Sequence, residues 1–386
     1  MMQSFALSAP RIFDGVIWHR DAALVVRGDG VEAIVPKGEI PAGVTVAEQG
    51  GLLVPGFVDL QVNGGGGVML NDRQDVEAIR TICAAHAPFG TTALLPTLIT
   101  DTPEVTARAV EAGVAALEAD VPGFAGLHLE GPHLSLARKG AHDPKLIRPM
   151  QDADQAFLIE ARKRLPSLLI TVAPESVSLE RMSALAQAGV IVSLGHSDTS
   201  FATAMASAAA GASMATHLFN AMSQIGNREP GLAGAVIDNG SLWAGLIADG
   251  IHVDPATIGI ALRAKTGPAK IFLVTDAMST IGTDMTSFTL NGRTIRRENG
   301  RLTLADGTLA GADLDMISAV RFMHRKIGLE LGEALRMASL YPADAMGFSR
   351  HGRLRAGSRA DIVALSDDLD VRGVWIGGDQ AFSADM

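Results

Sequence analysis

Residues 52–67 read LLVPGFVDLQVNGGGG, an apolar run that closes on two amide side chains, Gln61 and Asn63, and four glycines. Side chains alternate along a strand, so Asp59, Gln61 and Asn63 share one face of it. Seven more apolar runs follow the one at 52–63: TTALLPTL (91–98), FAGLHLEGP (124–132), LLITVAPE (168–175), VIVSLGHSD (190–198), MATHLFNAM (214–222), WAGLIADGIHV (243–253) and IFLVTDAMS (271–279). Helical stretches such as VEAIRTICAAHAPFG and LERMSALAQAG separate most of them. Eight buried strands alternating with helices predict a parallel (β/α)8 barrel of the TIM type. An open doubly wound sheet is the alternative, and the near-regular repeat favours closure.

The two ends of the chain have a different texture. Residues 1–54 break into short β segments at Gly, Asp and Pro, and residues 348–386 do the same. They predict one small β-sandwich built from both termini, flanking a barrel over 55–347. The stretch FTLNGRTIRRENGRLTLADG carries NG and DG turn signals, which place a β-hairpin insertion at about 282–312. A net charge of −10 argues against a broad nucleic-acid surface. Cys83 is the only cysteine, so no intramolecular disulfide can form. Neither a signal peptide nor a bilayer-length apolar run is visible, so a soluble cytoplasmic protein without a membrane partner is expected.

In a barrel, chemistry gathers at the C-terminal ends of the strands. Here those ends carry Gln61 and Asn63, Glu130, Glu175, His196, His217, His252 and Asp276. Glu130, His196 and His217 form a three-ligand set for a divalent metal with one position left for water. Asp276 then stands where a base could take a proton from that water. Taken singly, a histidine at a strand end is as well explained by a hydrogen bond in the core, and Asp276 by a helix cap. The coincidence of four ionisable groups on strands three, five, six and eight favours a metal hydrolase. Asn220, Arg228, His142, Asp249 and His252 lie on the adjoining loops, and an Arg with a His suffices to hold a phosphate.

The motifs PGFVDLQVNGGGG, LHLEGPHLSLARKGAHDP, LGHSD, ATHLFNAM, ADGIHV and LVTDAMS fall in this order over nearly the whole chain. In that combination the sequence resembles the N-acetylglucosamine-6-phosphate deacetylases of the amidohydrolase superfamily. The resemblance implies hydrolysis of the acetamide of N-acetyl-D-glucosamine 6-phosphate by a cytoplasmic homodimer. It implies one divalent metal per subunit on Glu130, His196 and His217, zinc first, with iron, cobalt or manganese as alternatives. Asp276 becomes the base and then the acid, and His142 the group that polarises the acetamide carbonyl. Asn220, Ala221, Arg228 and His252 are implied to hold the sugar phosphate, partly across the dimer interface, and Leu309, Ala310 and Gly311 to close over the sugar. Asp313 and Asp315 depart from the family's small polar residues and place that wall of the pocket in question.

Gln61 and Asn63 stand where many amidohydrolases carry His-x-His for a second metal. Neutral amides are poor zinc ligands, so that half-site is expected to be vacant, with the glycines leaving room beside the site. A phosphate-cradling loop would need glycines opening a helix, and that pattern is missing. A dihydroorotase-like enzyme would need a lysine on strand four, where VAPES carries Glu175 instead. Two readings stay open beside the first: a deacetylase for the galactosamine epimer, and a non-catalytic sugar-phosphate sensor.

Overall fold

The computed structural model describes residues 4–384. Within the larger unit, eight strands hydrogen-bond in sequence order: β1 (Phe57–Val62), β2 (Thr91–Ile99), β3 (Leu127–Glu130), β4 (Leu168–Val172), β5 (Ile191–Leu194), β6 (Met214–Ala215), β7 (Trp243–Ile247) and β8 (Ile271–Val274). Successive pairs from β2 to β8 are parallel, as helical crossovers require. The sheet comes round on itself just beyond the strand ends. Val62 bridges Ala277 in parallel, and the Asp276 amide donates to the Gln61 carbonyl at 3.0 Å. The fold is the expected (β/α)8 barrel.

Helices between the strands begin where the sequence supplies caps. Thr102, Ser178 and Ser200 each accept a hydrogen bond from a backbone amide of the first turn, at Val105, Arg181 and Thr203. After β8 comes a three-stranded antiparallel insertion, Ser287–Leu290, Arg293–Glu298 and Arg301–Thr303, turning at Asn291-Gly292 and Asn299-Gly300. All four turn residues have positive φ, which Asn and Gly tolerate. Its inner face (Phe288, Leu290, Ile295, Leu302) packs with Met69, Ile99 and Met278 from segments around the barrel mouth.

The other unit is β-rich and drawn from both ends of the chain. Its sheet runs Asp379–Ser383, Val371–Ile376, Ile362–Leu365, Leu52–Pro55, Ser4–Phe13, Trp18–Arg27, Gly30–Pro36, with Thr45–Glu48 also on the first long strand. Leu24 and Val26 enter one apolar cluster and Ala23 and Val25 another, so both faces of that strand are covered.

The run at 52–63 is not one strand. Leu52–Pro55 pairs with Ile362–Leu365 in the small sheet, and Phe57–Val62 opens the barrel. Pro55 has no amide to donate, and a Cβ at Gly56 would lie 2.0 Å from Thr92 Oγ1. No helix among the described residues is long and apolar enough to cross a membrane.

Candidate active site

The mouth of the barrel holds a cavity of about 390 Å³. Glu130, His142, His196, His217 and Asp276 line it, as do Asn63, Asn220, Ala221 and His252. Leu309, Ala310 and Gly311 form part of its wall. Arg228 does not line it: that residue is exposed on the loop after β6. Gln61 is buried just behind it.

At the floor, three ligand-type atoms form a tight triangle. His217 Nε2 lies 3.0 Å and His196 Nε2 3.2 Å from Glu130 Oε1, and the two nitrogens are 3.1 Å apart. Donors about 2.0–2.2 Å from one tetrahedral ion are separated by roughly 3.3 Å, close to this spacing. Tautomers reinforce the fit. His196 Nδ1 lies 2.8 Å from the Arg138 carbonyl, which can only accept, so Nε2 turns a lone pair towards the Glu130 carboxylate. Two electron-rich atoms face each other with no hydrogen between them, an arrangement that a cation resolves. Glu130, His142 and His196 also have donor atoms within 4.8 Å of one another. His142 is the poorer third ligand, because its Nδ1 accepts from the Thr100 amide at 3.3 Å, leaving Nε2 to carry the hydrogen. The cluster could therefore hold a metal, and the tighter triangle with His217 fits one better.

The electrostatics follow from burial. Burial alone would raise the Glu130 carboxyl, but the adjacent His196 and His217 rings outweigh it and hold it well below the usual range. His142 is pushed down to about 3 by burial and by His196, so its ring is neutral. Asp276 is pushed up to about 6 by burial and the nearby Glu130 charge. His196, His217 and Asp276 have φ of 45°, 31° and 51°, a region non-glycine residues rarely enter and that costs on the order of 1–3 kcal/mol each.

Gln61 and Asn63 work as donors. Gln61 Nε2 reaches Glu130 Oε1 and Asp276 Oδ1 at 3.1 Å each, and Asn63 Nδ2 reaches Asp276 Oδ1 at 2.7 Å. The glycines after them do not make room in the cavity, which none of them lines. Gly64 and Gly65 pair with Met69 and Val68 in a small hairpin, and a Cβ at Gly64 would meet the Val68 carbonyl at 2.4 Å. Asp313 and Asp315 also lie outside the lining. Asp313 takes the Arg297 guanidinium at 2.7 Å and the Thr280 hydroxyl at 3.1 Å, fastening the insertion. Asp315 caps the helix Met316–Arg325.

Other strand-end residues act as supports. Glu175 accepts from the Ser197 hydroxyl and the Asp198 amide, both at 2.7 Å, fixing the loop that bears His196. Asp249 takes His252 Nδ1 at 2.6 Å, leaving the far nitrogen of His252 for the cavity. Arg138 and Thr100 escaped the reading of the sequence. Arg138 lines the cavity and pairs with Asp198, and the Thr100 hydroxyl lies 2.7 Å from His142 Nδ1. Thr100 could have been found, since it sits just past the end of the second strand.

Beneath the site the barrel interior is polar. Thr97 Oγ1 lies 3.2 Å from His128 Nδ1, His128 Nε2 2.7 Å from Thr171 Oγ1, and Thr216 Oγ1 is 2.6 Å from Thr171 and 2.7 Å from Ser193. Burial lowers His128 to about 4, so this ring of contacts carries no charge.

The family model described as the amidohydrolase family matches residues 52–381. The chain belongs to this family. Among curated relatives of this amidohydrolase, an N-acetylgalactosamine-6-phosphate deacetylase of Shewanella sp. (strain ANA-3) is 44% identical, over 87% of this chain and 84% of its own. An N-acetylglucosamine-6-phosphate deacetylase of Haemophilus influenzae is 36% identical over 93% and 94%. Among solved structures, the N-acetylglucosamine-6-phosphate deacetylase of Pasteurella multocida superposes with a TM-score of 0.94 at 35% identity, covering 99% of this chain and 100% of that one. A point mutant of the Mycobacterium smegmatis enzyme, in complex with N-acetyl-D-glucosamine-6-phosphate, gives 0.91 at 32%, covering 99% and 100%.

Proposed function

We propose that this amidohydrolase hydrolyses the acetamide of N-acetyl-D-glucosamine 6-phosphate to glucosamine 6-phosphate and acetate. The observation that carries this reading is the triangle of Glu130, His196 and His217 facing Asp276 across one cavity, in a chain so similar to deacetylases of that substrate. Glu130, His196 and His217 would hold a divalent cation, zinc first and otherwise iron, cobalt or manganese, which would supply Lewis acidity for a water and for the carbonyl. Asp276 takes a proton from the attacking water and returns it to the leaving amine, so that one carboxyl serves both steps. His142, neutral and protonated on Nε2, donates to the carbonyl oxygen as negative charge develops there. Asn63 and Gln61 hold Asp276 in place and leave the second-metal position vacant.

Asn220, Ala221 and His252 bind the sugar phosphate, with Leu309, Ala310 and Gly311 against the sugar. Arg228, exposed on its loop, serves the cavity of a partner subunit in a homodimer. On this assignment Arg228→Ala raises KM for the phosphorylated sugar by about 10–100-fold, the effect of losing one charge-assisted contact. An equal change for the unphosphorylated sugar would remove Arg228 from the phosphate site. A cytoplasmic location goes with the substrate.

The 44% identity to a galactosamine-epimer deacetylase favours a second reading in which that epimer is preferred. Acetate release from both N-acetylhexosamine 6-phosphates, with elemental analysis of the same protein, separates the readings. Turnover of the glucosamine form with about one metal per chain is the expected result. Faster turnover of the other epimer transfers the assignment, and failure of both overturns it. Two metals per chain, with Gln61 or Asn63 coordinated, would contradict the vacant half-site.

A further inference from the structure

A second cavity, of about 190 Å³, lies outside the barrel mouth, beside the helices Pro103–Glu118 and Asp152–Arg164. Its apolar lining comes from Leu129 on β3, Ile170 and Val172 on β4, and Ala107, Phe157 and Leu158 on the two helices. Strand parity places Leu129 on the face opposite His128 and Glu130, so this space is separate from the site above.

Most polar residues around it already have partners within the protein. Both terminal nitrogens of Arg148 are given to Asp154, at 2.6 Å each. Asp101 accepts from Asn71 and from the Thr102 amide, and the Thr106 hydroxyl donates to the Thr102 carbonyl. His133 is different. Its Nδ1 lies 3.0 Å from the Arg148 carbonyl, so Nδ1 carries the hydrogen and Nε2 the lone pair. Asp154 Oδ2 lies 3.9 Å from Nε2, another acceptor and beyond hydrogen-bond reach. The His133 side chain is only 4% exposed, and burial holds the ring below its usual range, hence neutral. An acceptor on the wall of a mostly apolar cavity, without a hydrogen-bond partner from the protein, suits a ligand with one donor.

We propose that this cavity is a second ligand site, independent of the catalytic one, for a small one-ring molecule bearing a single hydroxyl or N–H that donates to His133 Nε2. Size supports the class: an apolar cavity of about 150 Å³ accepts benzene, and this one is somewhat larger with a polar edge. Phenol is the simplest member and toluene its donor-free control.

The test is calorimetric titration of the full-length, metal-loaded protein with each. Phenol should bind with Kd on the order of 1 mM or below, and toluene at least about fivefold more weakly. Ala107→Phe, a change on a half-buried helix position, should fill the cavity and abolish phenol binding while leaving metal content unaltered. Should that variant fold poorly, Phe157→Ala opens one wall and is expected to weaken phenol at least about fivefold. No binding of phenol by the unmodified protein would overturn the proposal. So would binding that survives Ala107→Phe or ignores Phe157→Ala, or equal affinity for phenol and toluene.

Discussion

Asp276→Asn should leave the bound metal in place and lower kcat for acetate release at least about 10³-fold, because one side chain is asked to serve as base and then as acid. The substitution is nearly silent in shape. Asp276 Oδ1 accepts from Gln61 at 3.1 Å and Asn63 at 2.7 Å, and an amide oxygen can keep both bonds. What changes is the atom turned to the cavity, which becomes an N–H donor and cannot take a proton from water. Metal content by elemental analysis and turnover by acetate release therefore part company in this variant. Activity within tenfold of the unmodified enzyme would strip Asp276 of its role, and loss of the metal would make it a ligand.

Glu130→Gln should have the complementary signature. The carboxylate accepts from His217 and from Gln61, faces His196 Nε2 at 3.2 Å in a buried setting, and is the only anion within the triangle. With an amide in its place, metal content is expected to fall from about one per chain to below about 0.1, and acetate release to fall at least about 10³-fold. Thermal unfolding supplies a control for folding. A ligand that binds only the native state raises Tm, so the unmodified protein should lose stability when stripped by chelator while Glu130→Gln should not. A variant that retains metal and still gains stability from it would place the ion elsewhere.

Much of this site could be read in the residues because strand ends are conspicuous. An apolar run that stops on a His, Glu or Asp marks both the element and its mouth, as LHLE and LVTD do. Other features were hidden because they depend on partners distant in sequence. The run at 52–63 announces a break at Pro55-Gly56, but nothing in it names Ile362–Leu365, near the other end of the chain, as the partner of its first half. Two aspartates near the sugar wall looked like a change of pocket chemistry. Asp313 instead answers Arg297, sixteen residues earlier on the insertion, and Asp315 answers the first turn of its own helix. Arg228 has the right chemistry for a phosphate, but composition cannot say into which cavity it reaches. His128 lies inside the apolar run FAGLHLEGP, and only the closed barrel brings Thr97 and Thr171 to its two nitrogens.

That polar floor bears on how such an enzyme can change. Thr97, His128 and Thr171 sit on strands whose next inward residues, or neighbours, build the site, and Thr216 immediately precedes His217. A substitution chosen to strengthen the barrel by making its interior oilier would also shift the spacing of the atoms above it. Robustness and turnover share these positions and cannot drift apart there. Libraries meant to move substrate preference do better to vary the loop and insertion residues around the mouth, where Arg138, Leu290 and Thr308 line the cavity without belonging to the floor.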